Sequence, residues 1–175
     1  TLLARAAALT PSLHRAVAWQ TLHEEMLDGR LPARALLEAA LAALPGEPDE
    51  LVATQLAGLV RGTYWRWLPD ATRRAVAPQV ERGLWRALDG APTPGRKGAL
   101  FGTIVSVTIT PDGIARLERI WRRQEVPRGF PVTEAMMQAI AEGLAIRGVP
   151  DAEAILDEQA RRLTNPDRQA RLAFL

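Results

Sequence analysis

Thr103-Ile104-Val105-Ser106-Val107-Thr108-Ile109-Thr110 is the stretch on which the fold class turns. Its β-branched side chains lose rotamer freedom in a helix and suit a pleated surface, so local propensity favours a strand. No other segment of the chain has this character, however. A lone strand in a core would leave its backbone N–H and C=O groups unpaired. Counted from Leu100, the apolar positions Ile104 and Val107, and then Pro111, recur at helical spacing. Residues 103–110 therefore read as part of a buried helix, and the chain as all-α.

The segments on either side support that reading. Downstream, Thr110-Pro111-Asp112 opens a helix carrying Ile114, Leu117, Ile120 and Trp121. Thr133-Glu134 opens the next, through Met136, Met137, Ile140, Leu144 and Ile146, ending at Gly148. Pro150-Asp151 begins another with Ala154, Ile155, Leu156 and Leu163. Asn165, Pro166 and Asp167 form a cap, a first-turn proline and an acid at the positive end of a last helix bearing Leu172 and Phe174.

Upstream, Ala91-Pro92-Thr93-Pro94-Gly95-Arg96 is a loop. Pro69-Asp70 opens a helix that runs to Leu88, with Pro78 inside it predicting a kink or short break. Pro48-Asp49-Glu50 starts a helix through Leu51, Leu56, Leu59 and Val60, with Trp65, Trp67 and Leu68 clustered at its end. Pro32 precedes Leu36, Leu37, Ala40, Leu41 and Leu44. Thr10-Pro11 opens the first helix, with Leu13, Ala16, Val17, Leu22 and Met26, until Asp28-Gly29 stops it.

The pattern predicts about eight to nine helices in pairs of roughly 40 residues. That suits a HEAT- or armadillo-like α-solenoid of antiparallel helix pairs, a single helical-repeat domain over residues 1–175, although no consensus is shared between pairs. The chain opens on Thr1 and closes soon after a strong helix cap. On this reading it is a piece truncated at both ends, and Leu172 and Phe174 should be under-packed.

Composition removes several function classes. There are 22 basic and 20 acidic residues, giving a net charge of +2, and every basic residue except Lys97 is an arginine. Arginine keeps its charge to very high pH, so the high pI implies no polycationic surface. The arginines are scattered rather than gathered in a stripe, which argues against nucleic-acid binding. The Arg and Ala bias fits a GC-rich bacterial genome. Without cysteine there is no disulfide, no thiol nucleophile and no Cys-ligated cluster. No apolar run is long enough for a membrane span and no secretory signal is present, so a cytoplasmic location is expected.

Few residues suggest chemistry. His23-Glu24 resembles half of the zinc motif H-E-x-x-H, but Leu27 stands where the second histidine would be, and His14 is the only other histidine. Gly95-Arg96-Lys97-Gly98 is too short for a phosphate loop and lacks the Ser or Thr after its lysine. Ser106 has no histidine close in sequence that would be its base, and Ser12 lies two residues before His14 on the same helix without a carboxylate cluster beside them. Tyr64 reads as a rim residue beside Trp65 and Trp67. Trp19, Trp65, Trp67, Trp85 and Trp121 read as packing residues, and Arg73-Arg74, Arg122-Arg123 and Arg161-Arg162 as salt-bridging pairs. We assign no catalytic, cofactor-binding or metal-ligating residue.

Two segments carry a family resemblance. Trp19, Leu22, Met26, Asp28-Gly29, Leu31 and Ala33-Arg34, followed by the acidic turn Glu47-Pro48-Asp49-Glu50, resemble the C-terminal helical domain of aminopeptidase N-like zinc metallopeptidases. Arg147-Gly148, an Ala-rich helix and Asn165-Pro166-Asp167-Arg168 resemble the same domain further along. The resemblance implies a right-handed solenoid that packs on the catalytic domain of its own polypeptide. It would enclose the cavity through which peptide substrates reach the metal. The zinc motif with its distant glutamate, the G-A-M-E-N strand and the catalytic tyrosine of that family lie in earlier domains. None of them occurs here, and Tyr64 does not match the catalytic tyrosine. Zinc is thus expected in the parent's catalytic domain and not in this chain. The alternative is a free-standing helical-repeat scaffold that binds a protein partner on its concave face.

Overall fold

In the computed structural model, which describes residues 1–172, the decisive stretch belongs to a helix spanning Pro94–Val107. Phe101, Ile104 and Val107 are fully buried on it, with Leu100, Thr103 and Val105 almost so. A helix apolar nearly all round is stable only inside a core, and this one lies against two others of its unit. Burial outweighs the local strand preference. The Thr103 hydroxyl is satisfied by donating to the Ala99 carbonyl at 3.2 Å.

The helix does not continue over 108–110. Pro111 disfavours helical geometry in the residue before it, and Thr110 adopts extended angles while its Oγ1 accepts the Gly113 N–H at 3.1 Å. The stretch is helical through Val107 and then becomes the cap of the next helix.

All described residues outside turns and loops are helical. Thr1–Val107 forms one compact unit and Thr108 begins a second. The first contains α1 (Leu2–Arg5), α2 (Ser12–Leu27), α3 (Ala33–Ala43), α4 (Glu50–Arg66), α5 (Asp70–Asp89) and α6 (Pro94–Val107), with 3-10 turns at Ala6–Ala8 and Leu44–Gly46. The second contains α7 (Pro111–Trp121), α8 (Glu134–Ile146), α9 (Ala152–Arg162) and α10 (Pro166–Leu172). All nine predicted helices are present. The single turn α1 was not foreseen, because it buries no residue and so leaves no periodic signal. No described helix is long and apolar enough to cross a membrane.

Three local expectations are corrected. The loop expected over 91–96 ends at Thr93, because Pro94 takes the first position of α6, where its missing N–H costs nothing. Of the kink or short break expected at Pro78, the break does not occur, since α5 is continuous from Asp70 to Asp89. Pro78 is exposed, so water can reach the backbone carbonyl that its missing N–H leaves free. Leu172 is not under-packed but buried, on a helix that lies against α9. Phe174 lies outside the described residues.

In the first unit, α3, α4, α5 and α6 enclose the fully buried Leu36, Leu56, Val60, Leu84, Leu88 and Ile104. At one end of this core sits a buried ion pair. Arg15 of α2 donates from Nε and Nη2 to the two carboxylate oxygens of Glu47, at 2.9 and 2.7 Å. Its Nη1 donates to the carbonyls of Leu9 and Thr10, each at 2.8 Å. Arg96 of α6, also buried, donates to the Glu47 carbonyl and to that of Leu44 at 2.6 Å. The Glu47 carboxylate also accepts the Asp49 N–H, and Asp49 caps α4 by accepting from Leu51 and Val52. Those backbone donors, Val52 first, hold the Asp49 carboxyl below its ordinary range.

In the second unit, Leu117, Ile120, Trp121, Ile140 and Leu144 are fully buried. Trp121 Nε1 donates to Gln159 at 2.9 Å, and the Arg162 guanidinium lies over the indole at 4.4 Å. Helix α7 closes with a Schellman pair: Gln124 N–H to the Arg119 carbonyl and Arg123 N–H to that of Ile120. The left-handed position of this motif is Arg123 at φ 59°, where α2 and α8 place Gly29 and Gly148.

Two outcomes follow from these contacts. Glu47→Ala strands a buried guanidinium and should lower the unfolding free energy by about 3 kcal/mol or more, measured by urea titration. Arg123→Gly relieves the left-handed strain at an exposed position and should stabilise by about 0.5–1 kcal/mol in the same assay.

Candidate functional site

The sequence-level candidates for chemistry are dispersed. His23 is half-buried on α2, while Glu24 faces solvent and accepts from Gln20 at 3.1 Å. Glu25 is taken by Arg30 at 2.6 and 2.8 Å, and that pairing holds its carboxyl below the usual range. No cluster of three His, Asp or Glu side chains suited to a metal occurs among the described residues. Within Gly95-Arg96-Lys97-Gly98, the Arg96 guanidinium is engaged by buried carbonyls and cannot face a phosphate. The Ser12 hydroxyl helps to hold the Asp49 carboxyl below its ordinary range.

The aromatic reading holds for three tryptophans and changes for the other aromatics. Trp19, Trp85 and Trp121 are buried. Trp65 and Trp67, at the end of α4, are 38% and 47% exposed. Trp65 still has structural work, donating Nε1 to the Ser106 carbonyl at the end of α6 and lying 4.9 Å from the Arg73 guanidinium. Tyr64 is not a rim residue. One helical turn beyond Val60, it points into the core with no exposure and meets Trp65 edge-on at 5.3 Å.

Each arginine pair contributes an ion pair: Arg74 to Asp70 at 2.8 Å, Arg122 to Glu118 at 2.8 Å, and Arg162 to Glu158. Arg73 lies 3.7 Å from Asp70 as well and also donates to the carbonyls of Tyr64 and Leu68, fixing the turn between α4 and α5.

Among the described residues each unit has a cleft. Between α3 and α5 lies a groove of about 430 Å³ lined by Glu38, Leu41, Pro45, Gln79, Arg82 and Arg86. Its helices approach closely at Gly83, where a Cβ would sit 2.9 Å from Leu41 Cγ. In the second unit, a cleft of about 470 Å³ is lined by Gln138, Glu142, Asn165, Asp167 and Arg168. Its edge is set by Glu134, which accepts from the N–H and hydroxyl of Thr164, and by the Asn165 cap on Asp167 and Arg168.

Neither cleft has a described hydroxyl, thiol or imidazole in its lining. The polar groups that the linings do offer are carboxylates, amides and guanidinium groups. Arg82 and Arg86 were not singled out in the sequence. Their only signal is a four-residue spacing that puts both on one side of α5.

No family model matches the chain. No curated protein sequence matches it. The family resemblance therefore stands on the quoted residues alone.

The Thr164 donors lower the Glu134 carboxyl below its ordinary 4.5. Its stabilising contribution is complete above that value and fades as pH falls through the lower folded one. Wild type should thus lose stability on acidification more steeply than Glu134→Gln, as denaturant titrations between about pH 6 and pH 3 would measure.

Proposed function

We propose that this chain is a non-catalytic helical module from the C-terminal part of an aminopeptidase N-like enzyme. Its role is to cover an active site carried elsewhere in the polypeptide and to restrict which peptides reach it. The parent's catalytic domain would hold the zinc and remove N-terminal residues from peptides in the cytoplasm. The concave surface of a helical repeat suits such a role.

The observation that carries this reading is the coherence of the resembling segment. Trp19, Leu22 and Met26 share the buried face of α2, and Gly29 at φ 75° closes that helix in a Schellman turn leading to α3. In the second resembling segment Arg147 donates to the carbonyls of Gly143, at 2.6 Å, and Thr108, while Asn165 caps α10. The quoted residues thus act together in helix ends and helix faces. A free-standing scaffold remains the second reading, favoured by the exposed Trp65 and Trp67.

The purified 175-residue chain should bind no stoichiometric zinc by elemental analysis and should release no fluorophore from aminoacyl-coumarin substrates. The reading frame upstream of the Thr1 codon should encode an H-E-x-x-H motif. Stoichiometric zinc in this chain, or a start codon directly before Thr1, would sink the proposal.

A further inference from the structure

The groove between α3 and α5 combines features that the other cleft lacks. Leu41, Ala42, Pro45 and Gly83 are the apolar part of its lining. Arg82 and Arg86 stand on its α5 side, both exposed, and neither has an ion-pair partner among the described residues. Glu38, on the α3 side, is occupied by Arg34 at 2.8 Å. The groove is therefore cationic on its α5 side, with apolar residues in its lining and its one carboxylate, Glu38, already paired.

Four residues of helix separate the two guanidinium-bearing positions by about 6 Å along the axis. In an extended peptide, side chains on one face repeat every second residue, or about 6.8 Å. Two carboxylates placed at i and i+2 match that spacing, and the side chain between them points the other way. Gln79, one turn before Arg82 on α5, offers an amide to the peptide backbone.

We propose that this groove binds an extended acidic segment of a partner polypeptide, with carboxylates at alternate positions on Arg82 and Arg86. The inference rests on the protein-binding part of the functional reading and not on the peptidase assignment. A nucleic-acid backbone fits less well. It would require a longer run of cations and stacking surfaces, whereas this groove has two arginines, no aromatic lining and a carboxylate opposite.

The test is fluorescence anisotropy with the 175-residue chain and a labelled peptide containing Asp-Leu-Asp-Leu-Asp. Saturable binding is expected, weakened at least about fivefold when salt rises from about 0.05 to about 0.5 M. Arg82→Ala with Arg86→Ala should weaken it about tenfold or more, because two charge-assisted contacts are lost. The charge-matched control is Arg61→Ala with Arg66→Ala, two exposed arginines on α4, and it should retain the affinity of the wild type. Circular dichroism checks that both variants keep their helix content. Absence of binding, equal weakening in the control, or equal affinity for the Asn-substituted peptide would each overturn the proposal. Displacement by inorganic phosphate at concentrations comparable to the peptide would also overturn it, showing a simple anion site. Zinc content and upstream sequence are separate readouts, so failure here and failure of the peptidase reading are told apart.

Discussion

A carboxylate almost without access to water holds the first unit together. Glu47 lies between α3 and α4, and its two oxygens receive Arg15 from α2 while its backbone carbonyl receives Arg96 from α6. Burying charges is costly unless every donor and acceptor is used. Here Arg15 spends all three of its nitrogens, two on the carboxylate and one on the carbonyls of Leu9 and Thr10. A lysine could not do this, because the planar fork matches the carboxylate and still reaches the loop before α2. The pair strengthens the charged form of Arg15 through its hydrogen bond to Glu47. The interaction is a matter of registration: it sets where three helices begin relative to one another within this unit.

Hydrophobic burial sets the remainder. Helix α6 shows the balance most directly, since the β-branched residues Thr103, Ile104, Val105 and Val107 would prefer a strand in isolation. Their burial against α4 and α5 outweighs a propensity difference of a few tenths of a kcal/mol per residue. The same principle explains why the stretch stops being helical after Val107. Thr110 and Pro111 have strong local reasons to begin a new helix, and local chemistry prevails there.

Trp65 and Trp67 were legible as a cluster, but their exposure was not, and neither was the inward turn of Tyr64. Positions 64 and 65 occupy different sides of the last turn of α4 and position 67 follows its end, so only the packing of neighbouring helices decides which of them meets water. For the arginines, pairing was legible for Asp70 with Arg74 and Glu118 with Arg122, because partners four residues apart on a helix must meet. Arg15, Arg82, Arg86 and Arg96 carried no comparable signal. Arg15 finds Glu47 across 32 residues and Arg96 finds Leu44 across 52.

By itself, the amino-acid sequence determined the helical class, the position of nine helices and most of their ends. These depend on caps, prolines, glycines and periodic apolar residues, which act within a few positions along the chain. Tertiary structure alone decided the division at Val107, the burial of Arg15, Glu47 and Arg96, and the unpaired arginines above the α3–α5 groove. Those outcomes depend on which helix faces meet in space. Charge pairing and desolvation act over a few ångströms of space, however many residues of chain lie between.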